Sequence, residues 1–149
     1  MRYCHTRCRQ KMTALLDPLL PYTGYLALIL RVWVGANFVI HARPKLSSMP
    51  QTVQSMKGLG VPAGATYAAT ALELAGGIAL ILGLLVPIVG ALLILFMVSA
   101  SVMKKRKMHA DYIAVGKPSY ETDVLYLVLA LALVFLGAGV FSLDGALGI

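Results

Sequence analysis

The chain has 149 residues, of which 59% are hydrophobic and 13% charged, whereas ordinary soluble domains are roughly 45–50% apolar and about 25% charged. Four apolar runs, about 22–40, 66–86, 88–103 and 124–141, contain only Arg31 and Glu73 from the 13 Lys+Arg and 6 Asp+Glu. This excludes a soluble enzyme, an acidic disordered chain and a disulfide-built secreted domain. It leaves an integral membrane protein the size of one compact unit.

In chain order, residues 1–21 form a basic tail with Arg2, Arg7, Arg9 and Lys11. The apolar run after it is too long for a signal-peptide core, and no small-residue cleavage site comes next, so a retained first span is expected. Cys4, His5 and Cys8 offer at most three ligands where structural zinc takes four. No metal site is expected. Pro18 and Pro21 punctuate the approach to the first span, Thr23 can cap it, and Arg43-Pro44 is expected to close it. Gly58-Leu59-Gly60-Val61-Pro62 is turn chemistry before the second span.

A membrane-crossing helix needs about 20 apolar residues. The second and third runs together would make roughly 57 Å of helix, too long for one crossing. Pro87 sits near the middle of this stretch, where it can break one helix and open the next. Lipid offers no partners to backbone groups, so helices must fill the spans. The expected fold is all-α: a four-helix transmembrane bundle over 22–149, antiparallel and up-down, with a tight hairpin at Val86-Pro87 between helices 2 and 3. Thr122 or Asp123 can cap the last span, and Gly137 and Gly139 loosen its end. Ala75, Gly76, Ala79 and Gly83 make a small-residue stripe on the second span. With Gly35 and Gly77 they read as helix-packing positions rather than ligand contacts.

Net charge +7 does not require nucleic acid. Lys104, Lys105, Arg106 and Lys107 directly follow a span, where anionic lipid headgroups are the nearest partners. Lys/Arg residues are more numerous on loops 41–65 and 104–123 than on the opposite side, which favours those loops in the cytoplasm, although the basic tail pulls the other way.

A charged side chain at the bilayer centre costs roughly 2.5–3.5 kcal/mol on insertion scales. Counting from Ile40 and Thr66, Arg31 and Glu73 lie about 14 and 11 Å deep at about 1.5 Å per residue. An Arg31–Glu73 ion pair facing the interior is expected, either to fix helix register or as the polar floor of a ligand or proton site. His41, Lys45, His109, Asp111, Tyr112, Glu121 and Tyr126 gather near the loop-rich membrane face. His and Tyr can donate to quinone carbonyls and move protons, while the same residues also suit interfacial anchoring. Trp33 and Phe38 are expected to pack or face lipid. The chain lacks a Walker motif, a dinucleotide glycine fingerprint, a haem-attachment motif and an iron–sulfur cysteine set. Redox chemistry here would need another protein or a diffusible quinone.

These residues resemble the DoxX/DoxD family. Arg31-x3-Gly35-x2-Phe38-x2-His41-x3-Lys45 is similar to its opening signature, and the 58–62 segment to its next loop. Glu73-Leu74-x-Gly76-Gly77-x2-Leu80-x2-Gly83 resembles its second-helix motif, and Gly137-Ala138-Gly139-Val140-Phe141-Ser142-Leu143-Asp144 its close. Val140 departs from the pattern, which often has a basic residue there. The resemblance implies a small four-helix membrane protein of respiratory or sulfur redox systems, some of whose members are subunits of thiosulfate:quinone oxidoreductase.

The expectation is therefore a multi-pass cell-membrane protein, a subunit of a quinone-linked redox system. Ligand-binding candidates are Arg31, His41, Lys45, Glu73, His109 and Tyr126. No covalently bound cofactor is expected, and quinone is the candidate one. Membrane lipids and other membrane or redox subunits are the expected partners, and a homo-oligomer is compatible. The alternative is a non-catalytic accessory subunit packed in a larger membrane complex.

Overall fold

The computed structural model describes residues 22–139 and 141–147. The basic tail with Cys4, His5 and Cys8, the prolines Pro18 and Pro21, and Val140 lie outside the described residues. The described chain is helical and has no strand. Its helices are α1 (Thr23–Ser47), α2 (Met49–Gly58), α3 (Ala63–Leu82), α4 (Val86–Lys107), α5 (Glu121–Leu136) and α6 (Leu143–Leu147). Among the described residues α1, α3 and α4 are long and apolar enough to cross a membrane. α5 has 16 residues, about 24 Å of helix at 1.5 Å per residue, and ends where Gly137 turns to φ 69°.

Several boundaries differ from the sequence expectation for local reasons. α1 continues past Arg43-Pro44 to Ser47 with Pro44 inside it. Ser47 and Ser48 hydroxyls donate back to the Arg43 and Pro44 carbonyls and hold that last turn together. The 41–65 connection contains an additional helix, α2, which Pro50 helps to open. The sharp turn between α3 and α4 is Gly83-Leu84-Leu85, not Val86-Pro87. Gly83 takes the left-handed conformation that ends α3, while Pro87 falls in the first turn of α4 as expected. α5 begins with no side-chain cap. Thr122 and Asp123 lie inside its first turn, where Asp123 contributes charge rather than a cap.

α1 packs on α3 and α5, and α4 packs on α3 and α5. The common core is Val34, Phe38, Leu80, Val86, Leu93, Met97, Ala130 and Leu133. The α1–α3 contact is a backbone crossing. A Cβ added at Gly35 would stand 2.5 Å from the Gly77 carbonyl oxygen, and one at Gly77 would stand 2.8 Å from that of Gly35. Gly76, one residue along, lets Val89 and Leu93 of α4 approach. Large apolar side chains point outward instead: Trp33 is 65% exposed and Phe135 83%. Arg31, Thr66, Thr70, Glu73, Asp123, Ser142 and Asp144 are buried. Polar side chains inside and apolar ones outside are what a lipid solvent selects.

The C-terminal segment closes the end of the molecule that holds the α3–α4 turn. Leu85 and Val86 donate their N–H groups to the Asp144 carboxylate at 2.8 and 3.1 Å, and the Asp144 N–H donates to the Gly83 carbonyl. Asp144 thus satisfies the orphan donors at the start of α4 from 58 residues away.

The Gly35–Gly77 crossing can be tested by thermal unfolding in detergent. Gly35→Ala should lose about 1–3 kcal/mol of stability, the usual cost of overpacking a tight contact. Gly64→Ala, where an added Cβ meets nothing within 4 Å, should leave the midpoint unchanged.

Candidate functional site

Glu73 is 4% exposed on the inner face of α3. Its expected partner was Arg31, but the structure gives it Lys45, whose Nζ donates to both carboxylate oxygens at 2.5 and 2.6 Å. Helix register explains the difference. With Gly35 level with Gly77, antiparallel stepping puts Arg31 level with Ile81 and Glu73 level with Val39, about 12 Å apart along the axis. Measured from the true helix ends, Ser47 and Ala63, the two depths are about 24 and 15 Å. Lys45 lies nearer the end of α1, but helical side chains lean toward the helix N-terminus, so its long stem reaches down to Glu73.

Arg31 occupies a different environment at the other end. Its Nη1 donates to the Ala138 carbonyl at 2.7 Å, and Asp144 is the acid in electrostatic range. The guanidinium lies against Gly83, where a Cβ would collide with Nη1 and Cζ. Gly83 therefore serves as a helix stop and as room for Arg31, rather than as a packing position between helices. Arg31 Nε has no partner among the described residues.

Near the Lys45–Glu73 pair is a cavity of about 560 Å³, within the roughly 300–1,000 Å³ common for small-molecule sites. It is mostly apolar. Of the sequence candidates, His41, Lys45, Glu73 and Tyr126 line it; Arg31 and His109 do not. His109 is exposed on the α4–α5 connection with φ 47°. Asp111, Tyr112 and Glu121 are exposed nearby and also outside the lining. Trp33 faces outward, whereas Phe38 is buried in the core and lines the cavity, its ring 5.4 Å from that of Tyr126. The Tyr126 hydroxyl has no hydrogen-bond partner among the described residues.

A second ion pair lines the same cavity. Lys104 Nζ donates to Asp123 Oδ1 at 2.8 Å and to the Ser119 carbonyl at 3.3 Å. Lys104, expected among the headgroup-binding residues, is thereby drawn inward, and only Lys105, Arg106 and Lys107 of that cluster stand exposed. Asp123 is 8% exposed, and its Oδ2 has no partner among the described residues. Asp123 looks like a helix cap in the sequence; only the bend of the 108–120 connection brings the end of α4 beside the start of α5. Thr66 and Thr70 belong to the site without any sequence signal for it. Both are buried on the cavity wall, their hydroxyls donating to carbonyls one turn back and keeping acceptor capacity.

The wall therefore offers a free phenol hydroxyl, an imidazole, two lysine–carboxylate pairs and an aromatic pair at the edge of the core. Such a set can hold a planar, weakly polar head by its oxygens and give or accept a proton at the Tyr126 hydroxyl or the His41 ring.

A family profile described as DoxX matches residues 26–106, which include α2, α3 and nearly all of α1 and α4. The chain is also similar to a Bacillus subtilis (strain 168) protein named "Putative oxidoreductase CatD", 32% identical over 117 residues, covering 78% of this chain and 83% of the relative. No solved structure matches the chain.

The exchanged ion pair predicts a double-mutant outcome, read as thermal stability in detergent. Lys45→Met leaves Glu73 buried without its cation and should cost about 1–3 kcal/mol. Adding Glu73→Leu should recover part of that loss, while Arg31 variants should show no coupling to Glu73.

Proposed function

The chain belongs to the DoxX family, and on that premise we propose that it is a multi-pass cell-membrane protein whose cavity binds a quinone-type ligand of a membrane redox system. α1, α3, α4 and α5 then form a four-helix transmembrane bundle in up-and-down order. The short α5 packs on α4 and α1. The observation that carries the reading is the cavity itself, where an aromatic pair meets unpaired hydrogen-bonding groups on a mostly apolar wall. A tightly filled interior would have favoured a purely accessory subunit; a cavity of this size does not.

The residues divide the work by chemistry. Phe38 and Tyr126 offer ring faces to a planar head. The Tyr126 hydroxyl donates to a carbonyl oxygen, and His41, exposed at the rim, connects the site to water for proton exchange. Lys45 and Lys104, each already paired with a carboxylate, keep an N–H group to spare. A bound quinone supplies two-electron, two-proton chemistry, so a partner protein or a reduced substrate exchanges the electrons. Lys105, Arg106 and Lys107 lie at the membrane surface, where they hold anionic headgroups and draw in an anionic donor such as thiosulfate. The relative's printed name, "Putative oxidoreductase CatD", supports the redox side of this reading.

The test is purification of the full chain in mild detergent, with extraction and mass spectrometry of bound quinone and co-purifying subunits, then quinone-reduction assays with sulfur donors. Bound quinone, or saturable quinone binding, is expected. Tyr126→Phe should weaken that binding about 5-fold, the value of roughly one neutral hydrogen bond. It should not lower the unfolding temperature, because the hydroxyl has no hydrogen-bond partner among the described residues. Absence of both bound and saturable quinone overturns the reading.

A further inference from the structure

α3 and α4 approach closely beside their turn, where Gly76 meets Val89 and Leu93. Toward the other end α3 presents Ala65, Ala68 and Ala69, side chains too short to fill the space to α4. A second hollow, about 340 Å³, lies between the helices there. It shares Ala65, Ala69, Phe96 and Ser99 with the cavity, so the two spaces lie against the same four residues of α3 and α4. On its outer side the groove is bordered by Ala68 and by Leu95, which is 65% exposed. Its single hydroxyl, on Ser99, donates to the Leu95 carbonyl within α4 at 2.8 Å and leaves the groove without a free donor.

The two compartments have different chemistries. The cavity carries ion pairs, the Tyr126 hydroxyl and Asp123, which is nine-tenths buried with one carboxylate oxygen unpartnered. The groove is apolar and faces where lipid would lie. We infer that the ligand reaches the cavity sideways from the membrane, between α3 and α4. It is a tailed, lipid-soluble molecule whose polar head occupies the cavity while its hydrocarbon chain lies along the groove. This rests on the quinone reading of the cavity and narrows it to quinones bearing a long alkyl or isoprenoid chain. The alanines then have a definite role: they keep open a slot that larger residues would close. A head alone gains only the cavity contacts, whereas a tailed ligand also covers the apolar groove.

The full chain in phospholipid nanodiscs can be titrated with two probes, 2,3-dimethoxy-5-methyl-1,4-benzoquinone and its 6-decyl derivative, with binding expressed relative to the concentration of each probe in the bilayer. On that scale the decyl probe should bind the native protein more tightly. Ala68→Phe blocks the groove without touching the cavity wall, and it should weaken the decyl probe about tenfold, the scale of overpacking one defined contact. The tail-less probe should be unaffected. Leu95→Trp, across the groove on α4, should act the same way and replaces Ala68→Phe if that variant does not fold. Ala71→Phe, exposed on α3 outside the groove, should change neither probe. Equal binding of the two probes, or a decyl advantage that survives both groove variants, overturns lateral access but leaves the cavity reading standing. A groove variant that alters only co-purifying phospholipid also overturns it, because the slot then holds a lipid acyl chain. Binding of neither probe overturns the cavity reading and this inference with it.

Discussion

The backbone crossing of Gly35 and Gly77 sets the positions of nearly all the other buried groups in this molecule. In lipid the tails outside are as apolar as the side chains inside, so helices associate through close packing and polar contacts rather than through expulsion of water. Two glycines meeting carbonyl to α-carbon bring α1 and α3 nearer than any side chain would allow. That contact also fixes their axial register. Glu73 is then level with Val39, and Lys45 is the cation that reaches it; Arg31 is left a further two turns away. Sliding the helices by one turn would break the Lys45–Glu73 bond and bury a carboxylate alone.

The register divides the buried polar groups between two ends with different tasks. Around the α3–α4 turn they lock the chain: Asp144 caps α4, Arg31 holds the Ala138 carbonyl, and the Ser142 hydroxyl donates to the Gly139 carbonyl while accepting from the Gly145 N–H. These are mostly side chain to backbone bonds, which bind the short α6 and the turn before it where lipid would leave their groups unsatisfied. At the other end the polar groups pair with one another around open space. Lys45–Glu73 and Lys104–Asp123 stand on the wall of one cavity, with Tyr126 and His41 making no hydrogen bond or ion pair among the described residues. Bonds that lock the backbone are concentrated at the closed end, and the cavity lies at the loop-rich end.

Part of this site was legible in the sequence. His41, Lys45, Glu73 and Tyr126 stand out because polar side chains beside or within apolar runs are costly and therefore informative. Asp123 and Lys104 were visible as charges but not as a pair, since each had an adequate local explanation as a helix-start acid or a headgroup cation. Only the path of residues 108–120 sets them side by side. α2 was not legible because it has no buried residue and its apolar stripe, Met49, Val53 and Met56, is too short to stand out beside Pro50 and the polar residues between. Nor was the extension of α1 beyond Pro44, because proline normally argues for an end, and two serine hydroxyls reverse that argument here.

By itself the sequence determined the solvent, the helical class and the identity of the polar residues that lipid would force inward. These depend on composition and on local chemistry such as Pro87, which opens α4 just after the sharp turn. Tertiary structure alone decided which charge meets which, that Arg31 belongs to the C-terminal clasp rather than to Glu73, and that the alanines of α3 border an open slot. Those outcomes depend on axial register and on the gap between helices. Both are set by how closely two backbones approach, a non-local distance that no single segment of the chain encodes.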